Sequence, residues 1–182
     1  EYKIFIYILI LMKKINKMKN AVPKNFIIDI DGVMTNGQML YNKNGKYIKI
    51  FGPDDSDMLS ILKKYINICF ITADKKGYSI TKKRIVNDMG FKLYYVNVLD
   101  RIQWIDKKFN LKKTIYMGDS IFDSIALQRV AYGIAPKNAD KYAKKSSKHI
   151  TKASGGDRAV SEACVFILKK FFKINFFKLL KW

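Results

Sequence analysis

A short apolar run that ends in two aspartates constrains this chain more than any other stretch. Residues 26–28 lead into Asp29, and Asp31 and Gly32 follow. The apolar residues predict a buried β-strand, and the glycine predicts the turn that ends it. Because the side chains of a strand alternate between its two faces, we expect Asp29 and Asp31 to point the same way at the strand end.

Two carboxylates at one strand end need compensation for their mutual repulsion and for the loss of hydration. A magnesium ion supplies it, because Mg²⁺ prefers hard oxygen ligands and binds proteins through one or two carboxylates. The alternative is a strand that ends in two solvated aspartates before a turn. On these residues alone, the two interpretations stand equal.

A second acidic strand end lies far along the chain. Residues 114–117 form another short apolar run that breaks at Gly118, and Asp119 and Asp123 follow. A third apolar run, between the two acidic stretches, ends in the hydroxyl group of Thr72. In an open α/β sheet, functional groups gather at the carboxyl ends of the strands. We therefore expect these side chains to converge with the first pair of aspartates.

Strand and helix patterns alternate along the chain, which predicts an α/β fold with a parallel sheet flanked by helices on both faces. The predicted strands after the first are 67–71, 92–96, 114–117 and 131–134. The predicted helices are 58–65, 79–89, 100–109, 123–130, 139–146 and 158–172, with Asp157 as the expected cap of the last.

Residues 37–51 interrupt this alternation with two β-prone runs that meet at Asn44 and Gly45. An Asn-Gly pair favours a type I′ hairpin turn, which needs positive φ at both central residues. A hairpin at this place in the chain would overhang the acidic strand ends or pair between subunits.

The order of these motifs resembles that of the haloacid dehalogenase superfamily of phosphotransferases. The motifs are Asp-x-Asp-Gly-Val-x-Thr from Asp29, a strand that ends in Thr72, and Gly-Asp-x-x-x-Asp from Gly118 to Asp123. Within the superfamily the chain is similar to 3-deoxy-D-manno-octulosonate (KDO) 8-phosphate phosphatases and to related domains of acylneuraminate cytidylyltransferases. The likeness runs from about residue 26 to residue 172. It implies a Rossmann-like three-layer sandwich with a hairpin in place of a large cap domain.

The resemblance also implies a magnesium-dependent hydrolase of phosphoric monoesters. Asp29 would be the nucleophile that forms an aspartyl-phosphate, and Asp31 would be the general acid and base. The implied metal ligands are Asp29, the backbone carbonyl of Asp31, and Asp119. Asp123 would support the site, and the hydroxyl of Thr72 would bind the phosphoryl group.

Arg101 departs from the family pattern at an important position. It begins a predicted helix where the superfamily has a lysine that neutralises the nucleophile and binds phosphoryl oxygens. We take Arg101 as the candidate for that role, although the planar guanidinium is not equivalent to an ammonium group. An ordinary exposed helix residue is the alternative.

The family's substrate-binding arginines are also altered. The stretch 53–55 lacks the usual arginine, and the common Thr-Gly-Arg is Thr-Ala-Asp here, ending at Asp74. Lys75 is the candidate to supply the lost positive charge, with a solvated lysine as the alternative. Arg158, in the segment after two glycines, is a candidate to bind a substrate carboxylate, and helix capping alone is equally compatible with it.

The formal net charge of +20 does not by itself indicate nucleic acid as the partner. The lysines are spread along the chain, largely on helix faces expected to be solvated, and no nucleic-acid-binding signature appears. We expect a small phosphorylated substrate instead. Cys69 and Cys164 lack disulfide or metal-ligand spacing, which is typical of core residues in a reducing compartment and favours a cytoplasmic location.

Residues 21–172 are predicted to form the domain, between an N-terminal extension (1–20) and a basic aromatic tail (173–182). We expect the natural start near Met18. The apolar run at 4–12 is shorter than the roughly 20 residues of a spanning helix, so no integral membrane segment is expected. A membrane-surface anchor is the alternative for the extension, and the tail could pack on the domain, lie on a membrane or fray.

The sequence therefore predicts a phosphatase of a small phosphorylated sugar acid, of the KDO 8-phosphate or acylneuraminate 9-phosphate type. The resemblance places it in the synthesis of sugars for cell-surface polysaccharides such as lipopolysaccharide, and implies a homotetramer built through the hairpin. Two alternatives remain from the sequence: a non-catalytic accessory subunit with this fold, and a basic nucleic-acid binder.

Overall fold

The computed structural model describes Ile6 and residues 22–179. Apart from Ile6, the predicted N-terminal extension lies outside these residues, as does the end of the tail at 180–182. The described chain forms a six-stranded parallel sheet and a separate two-stranded antiparallel hairpin. None of the described helices is long and apolar enough to cross a bilayer.

Strands and helices alternate as the sequence predicts. The strands are β1 (Asn25–Asp29), β2 (Thr35–Asn42), β3 (Gly45–Phe51), β4 (Asn67–Thr72), β5 (Lys92–Tyr95), β6 (Thr114–Met117), β7 (Tyr132–Ala135) and β8 (His149–Ile150). The helices are α1 (Asp55–Leu62), α2 (Tyr78–Lys82), α3 (Arg101–Phe109), α4 (Ser124–Arg129), α5 (Lys141–Ser146), α6 (Ala159–Phe172) and α7 (Phe176–Leu179). A π-helical turn at Lys83–Asp88 continues α2.

The strand order β5-β4-β1-β6-β7-β8 brings the three polar strand ends together. Strand β1 lies between β4 and β6, with Asp29 paired to Ile71 and Ile28 paired to Met117. Because all three strands are parallel, Thr72 and the residues after Met117 leave the sheet at the same edge as Asp29. The predicted convergence at the carboxyl ends of the strands follows from this register.

Helices cover both faces of the sheet, so its central strands are apolar on both sides. Phe26 and Ile28 belong to the core beneath α1 and α6, whereas Ile27 belongs to the core beneath α3, α4 and α5. All three are fully buried. Each such side chain contributes about 1.5–3 kcal/mol to folding, and this two-sided core confirms the predicted three-layer α/β fold.

The hairpin of β2 and β3 is present, but its turn differs from the predicted one. Asn42 pairs with Gly45, so Lys43 and Asn44 form the tip. Gly45 has a φ of 114°, whereas Asn44 does not adopt positive φ, so the type I′ prediction was wrong. Instead, the side chain of Asn42 accepts a hydrogen bond from the Asn44 N–H at 2.8 Å, which closes the turn locally.

A surface ion pair joins the starts of α1 and α6. The residues before these helices, Asp54 and Arg158, both have left-handed backbones, with φ of 63° and 66°. Arg158 Nε donates to Asp54 Oδ2 at 2.6 Å, and its Nη1 donates to Asp157 at 3.1 Å. The expectation that Asp157 caps α6 was wrong, because the helix begins without a side-chain cap.

Asp55 forms a buried link between α1 and α6. Its Oδ1 accepts from the backbone N–H of Ser161 at 2.7 Å, and its Oδ2 has no hydrogen-bond partner among the described residues. Burial raises the pKa of Asp55 to about 6, although the Ser161 N–H favours the charged form. A carboxyl group with a raised folded-state pKa stabilises the fold at low pH, and this stabilisation is lost as the pH rises through 6.

Asp55→Asn should therefore change the pH dependence of stability. Relative to the natural chain, we expect the variant to gain on the order of 2–3 kcal/mol in free energy of unfolding between about pH 4 and pH 7. Urea denaturation at several pH values measures the difference in free energy of unfolding between the variant and the natural chain. The contributions of the other titrating groups cancel in this difference. Asp57→Asn, at an exposed position of the same helix, is the control. A constant difference across the pH range would contradict this role of Asp55.

Candidate active site

A buried ion pair between Asp29 and Arg101 forms the centre of the site. Asp29 is the last residue of β1 and is 5% exposed, and Arg101, the first residue of α3, is 4% exposed. Arg101 Nη1 donates to Asp29 Oδ2 at 2.9 Å, and Nη2 donates to Oδ1 at 3.2 Å. This two-point contact fixes the plane of the carboxylate. Arg101 is therefore buried against Asp29, the candidate nucleophile, and does not lie on an exposed helix face.

Asp123 contacts this ion pair through Arg101 and is itself held by several hydrogen bonds. Its Oδ1 accepts hydrogen bonds from Arg101 Nη1 and from the buried hydroxyl of Tyr116. Its Oδ2 accepts from the N–H of Ser120 at 2.9 Å, from the Ser120 hydroxyl at 2.8 Å and from the N–H of Asp119 at 3.2 Å. Asp123 is fully buried and has a partner on each oxygen, so its orientation is set by the fold.

The side chain of Asp119 packs against Gly32, just beyond the end of β1. A Cβ atom at Gly32 would lie 2.0 Å from Asp119 Oδ2, and Gly32 has a φ of 89°. Both facts require glycine at this position. Asp119 Oδ1 is buried without a hydrogen-bond partner among the described residues, and a buried acceptor of this kind is costly unless a ligand satisfies it.

Asp29, Asp119 and Asp123 form an acidic group that can hold a metal ion. They offer carboxylate oxygens that all lie within 4.8 Å of one another. Burial raises the pKa of Asp29 to about 7, against the opposing effect of Arg101. Burial and the charges of Asp29 and Asp123 raise the pKa of Asp119 to about 8. Three carboxylates with one guanidinium leave the group short of positive charge, and the all-oxygen donor set fits the predicted Mg²⁺.

Asp31 lies outside this group, and its side chain is held by the hairpin. Lys49 Nζ of β3 donates to Asp31 Oδ2 at 2.9 Å and lies 2.8 Å from Oδ1. The side chain of Asp31 is 20% exposed, so it remains reachable from solvent. The sequence assigned Asp31 to the metal through its backbone carbonyl, and that assignment stays a prediction.

Thr72 and Lys75 lie at and beyond the end of β4. Thr72 is buried, and its hydroxyl oxygen accepts from the N–H of Asp74 at 3.0 Å, which leaves the hydroxyl proton available for another acceptor. Lys75 is exposed and lines a shallow depression with Tyr78 and Tyr95. Their proposed contacts with the phosphoryl group and the substrate stay predictions.

Arg158 does not lie with the acidic group of Asp29, Asp119 and Asp123. Its side chain is 57% exposed and engages Asp54 and Asp157 at the surface. The segment just before it does approach the site, because Gly156 N–H donates to the carbonyl of Val33 at 3.1 Å. A role of Arg158 in binding a substrate carboxylate remains a prediction, and it would require the guanidinium to leave or share Asp54.

Sequence reasoning missed Tyr116 and Lys49, and it noted Asp74 only as a departure from the family pattern, not as a partner of two lysines. Tyr116 is embedded in an apolar strand, and nothing in the local pattern distinguishes its hydroxyl. For Lys49 the one sequence signal is its place between Ile48 and Ile50, and the structure exposes both isoleucines, as it does Tyr47, and buries the lysine. An inverted pattern of this kind indicates that the polar face of a strand has ionic partners.

Comparison with known proteins identifies the family. Residues 97–163 match the family model of haloacid dehalogenase-like hydrolases. The KDO 8-phosphate phosphatase of Haemophilus influenzae is 30% identical over 161 residues, which cover 84% of this chain and 86% of that protein. The chain belongs to the haloacid dehalogenase-like hydrolases and, among them, to the family of this phosphatase.

Solved structures give the same relationship. The crystal structure of the Moraxella catarrhalis KDO 8-phosphate phosphatase, in complex with magnesium, phosphate and KDO, matches with a TM-score of 0.77 and 27% identity. The match covers 92% of this chain and 99% of that one. The cobalt-bound Haemophilus influenzae enzyme matches with a TM-score of 0.73 and 25% identity, over 83% of this chain and 90% of that one.

Arg101→Met should strongly destabilise the protein, because it leaves the carboxyl groups of Asp29 and Asp123 buried without a counter-charge. Removing one partner of a buried ion pair costs about 3–5 kcal/mol. Urea denaturation in the presence of EDTA measures the effect, with Arg129→Met at an exposed position as the matched control. Equal stability of the two variants would show that Arg101 does not balance the buried carboxylates.

Proposed function

We propose that this protein is a magnesium-dependent phosphomonoesterase that acts on a small phosphorylated sugar acid. The proposed substrate is of the KDO 8-phosphate or acylneuraminate 9-phosphate type, in the supply of sugars for lipopolysaccharide or a similar cell-surface polysaccharide. One observation carries the proposal. In a member of this phosphatase family, Asp29, Asp119 and Asp123 surround one point, and Arg101 grips both oxygens of Asp29.

Asp29 is the proposed nucleophile. One of its oxygens attacks phosphorus in line with the leaving oxygen and forms an aspartyl-phosphate, which divides one difficult displacement into two easier ones. The two hydrogen bonds from Arg101 orient the carboxylate and favour its ionised form, against the burial that raises its pKa. Arg101 is also the proposed contact for the phosphoryl oxygens, as the family resemblance implies.

Asp31 is the proposed proton carrier. It gives its proton to the leaving alkoxide in the first step and takes a proton from the attacking water in the second. Its partial exposure at the rim suits contact with both the substrate and water. The hydroxyl of Thr72, whose oxygen already accepts from Asp74, donates to a phosphoryl oxygen as charge develops there.

Asp29, Asp119 and the backbone carbonyl of Asp31 are the proposed ligands of Mg²⁺, with Asp123 in support. When bound, the ion supplies positive charge to the phosphoryl oxygens during transfer. Asp119 Oδ1, which has no hydrogen-bond partner in the part of the chain that the structure describes, and the raised pKa of its carboxyl group support this assignment.

Substrate selection is proposed to come from the hairpin and the loops around the strand ends, since the described chain has no large cap domain. Lys75, exposed beside Tyr78 and Tyr95, and Arg158 are the proposed contacts with the substrate. The family arginines at two positions are Asp54 and Asp74 here, so we expect the preferred sugar acid to be recognised through different contacts from those of the relatives.

The exposed face of the hairpin supports a homotetramer. Leu40 and Ile48 pair across the two strands, and both are exposed, as are Tyr41, Tyr47 and Ile50. Several exposed apolar side chains on one hairpin are typical of a surface that binds another chain. We propose that the second chain is another copy of this protein, and light scattering in solution would contradict this if it found a monomer at micromolar concentration.

A cytoplasmic location is also part of the proposal. Cys69 and Cys164 are free thiols buried in the two cores of the sheet. Burial raises the pKa of both thiols, so neither is a reactive thiolate. Unpaired cysteines are what a reducing compartment permits.

The proposal predicts phosphate release from at least one member of a panel of phosphorylated sugar acids, including KDO 8-phosphate. Release should require Mg²⁺, stop with EDTA, and fall by at least about a thousandfold in Asp29→Asn, because the amide is not a nucleophile. Asp106→Asn, at an exposed position of α3, should keep full activity. Undiminished release by Asp29→Asn would contradict the mechanism, and no release from the whole panel would favour the accessory-subunit alternative.

A further inference from the structure

The hairpin reaches the site through a buried ammonium group. The side chain of Lys49 is 0% exposed, although it carries a charge and lies on a strand whose neighbouring isoleucines face solvent. Its Nζ contacts three oxygen-bearing side chains: Asp31 at 2.9 Å, Asp74 at 2.8 Å and the hydroxyl of Thr81 at 3.0 Å. An ammonium group has three protons, so these partners account for all of its hydrogen-bonding capacity.

Asp74 holds two hairpin lysines at once. Its Oδ2 lies 2.6 Å from Lys46 Nζ and 2.8 Å from Lys49 Nζ, while its Oδ1 accepts from the N–H of Gly77 at 3.0 Å. Although partial burial favours the neutral form, these hydrogen bonds lower the pKa of Asp74 to about 2. A Cβ atom at Gly77 would lie 2.2 Å from Asp74 Oδ2 and 2.7 Å from Lys49 Cε, so the packing is tight.

When Asp31 is ionised, the network of Lys46, Lys49, Asp31 and Asp74 balances two positive against two negative charges. Ions removed from water are tolerated when each is paired and hydrogen-bonded, as here. Because both lysines are paired with aspartates, neither has a free positive charge with which to bind a substrate anion. Lys49 therefore acts on other groups of the protein, and the catalytic group that it contacts is Asp31.

We propose that Lys49 is a positioning residue for proton transfer by Asp31, and that Asp74 fixes Lys49 in turn. This inference rests on the proposed function and deepens it, because it makes the hairpin part of the catalytic apparatus as well as an assembly surface. Lys49 holds the Asp31 carboxyl group at the rim, turned toward the place where the leaving oxygen of the substrate departs from Asp29-bound phosphorus.

The proton transfer by Asp31 can be tested separately from the nucleophilic attack by Asp29. In the first step the bond from phosphorus to the leaving oxygen breaks, a bond from Asp29 to phosphorus forms, and the Asp31 proton moves to the leaving oxygen. In the second step a water oxygen bonds to phosphorus, its proton moves to Asp31, and the Asp29–phosphorus linkage breaks to give phosphate. An alkoxide needs the proton in the first step, whereas p-nitrophenolate leaves without it.

Lys49→Met tests the proposal by comparing two substrates, KDO 8-phosphate and p-nitrophenyl phosphate. The expected result is a fall of about tenfold or more in kcat/KM for the alkyl ester, with less than about a threefold fall for the aryl ester. With the aryl ester, slow hydrolysis of the intermediate should also produce a burst of p-nitrophenol. Lys43→Met, at the exposed hairpin tip, is the matched control and should leave both values unchanged.

If Lys49→Met does not fold, Asp74→Asn provides a second test of the same proposal. It removes the charge that fixes Lys49 but retains the direct contact between Lys49 and Asp31, so we expect the same selective loss at a smaller size. Equal losses on both esters, in whichever variants fold, would overturn the positioning role and leave the proposed phosphatase intact. Absence of phosphate release from either ester by the natural chain would instead contradict the proposed function itself.

Discussion

The site depends on how one guanidinium balances three carboxylates, of which those of Asp29 and Asp123 are buried and that of Asp119 is half-buried. Arg101 donates two hydrogen bonds to Asp29 and also reaches Asp123, while Asp119 Oδ1 has no hydrogen-bond partner among the described residues. Burial without full compensation raises the pKa of both Asp29 and Asp119 toward or above neutrality. A divalent cation removes this imbalance. We propose that this deficit of positive charge at the strand ends underlies both the binding of a metal ion and the acceptance of a phosphoryl group.

A second ionic network gives Asp31 an environment different from that of Asp29, which suits the separate roles proposed for the two aspartates. Asp29 belongs to the sheet and is nearly inaccessible to solvent. Asp31 lies two residues further along the chain, is partly exposed, and is bonded to Lys49 of the hairpin. A nucleophile benefits from a fixed, water-poor position, and a proton carrier needs contact with both substrate and water. The fold provides the two environments within three residues, because the strand ends between them.

The sequence predicted the parts of the site that depend on local pattern. Apolar runs that end in Asp29, Thr72 and Asp119 identify strand ends, and parallel pairing then brings them together. Arg101 was found through the family resemblance. Contacts that join distant segments had no such pattern: Lys49 meets Asp74 across 25 positions of sequence, and Tyr116 meets Asp123 from within an apolar strand. The predicted type I′ turn and the Asp157 cap were wrong: the Asn42 side chain accepts from the Asn44 N–H, and Asp157 accepts from Arg158 instead of capping the helix.

The central claim is that Asp29 itself carries the phosphoryl group between substrate and water. Rapid quenching during turnover of p-nitrophenyl phosphate, followed by borohydride reduction and peptide mass spectrometry, tests it most directly, since reduction of an aspartyl-phosphate leaves homoserine at the modified position. The account predicts homoserine at position 29. Homoserine at another aspartate, or an unmodified position 29 in an enzyme that is releasing phosphate, would contradict it.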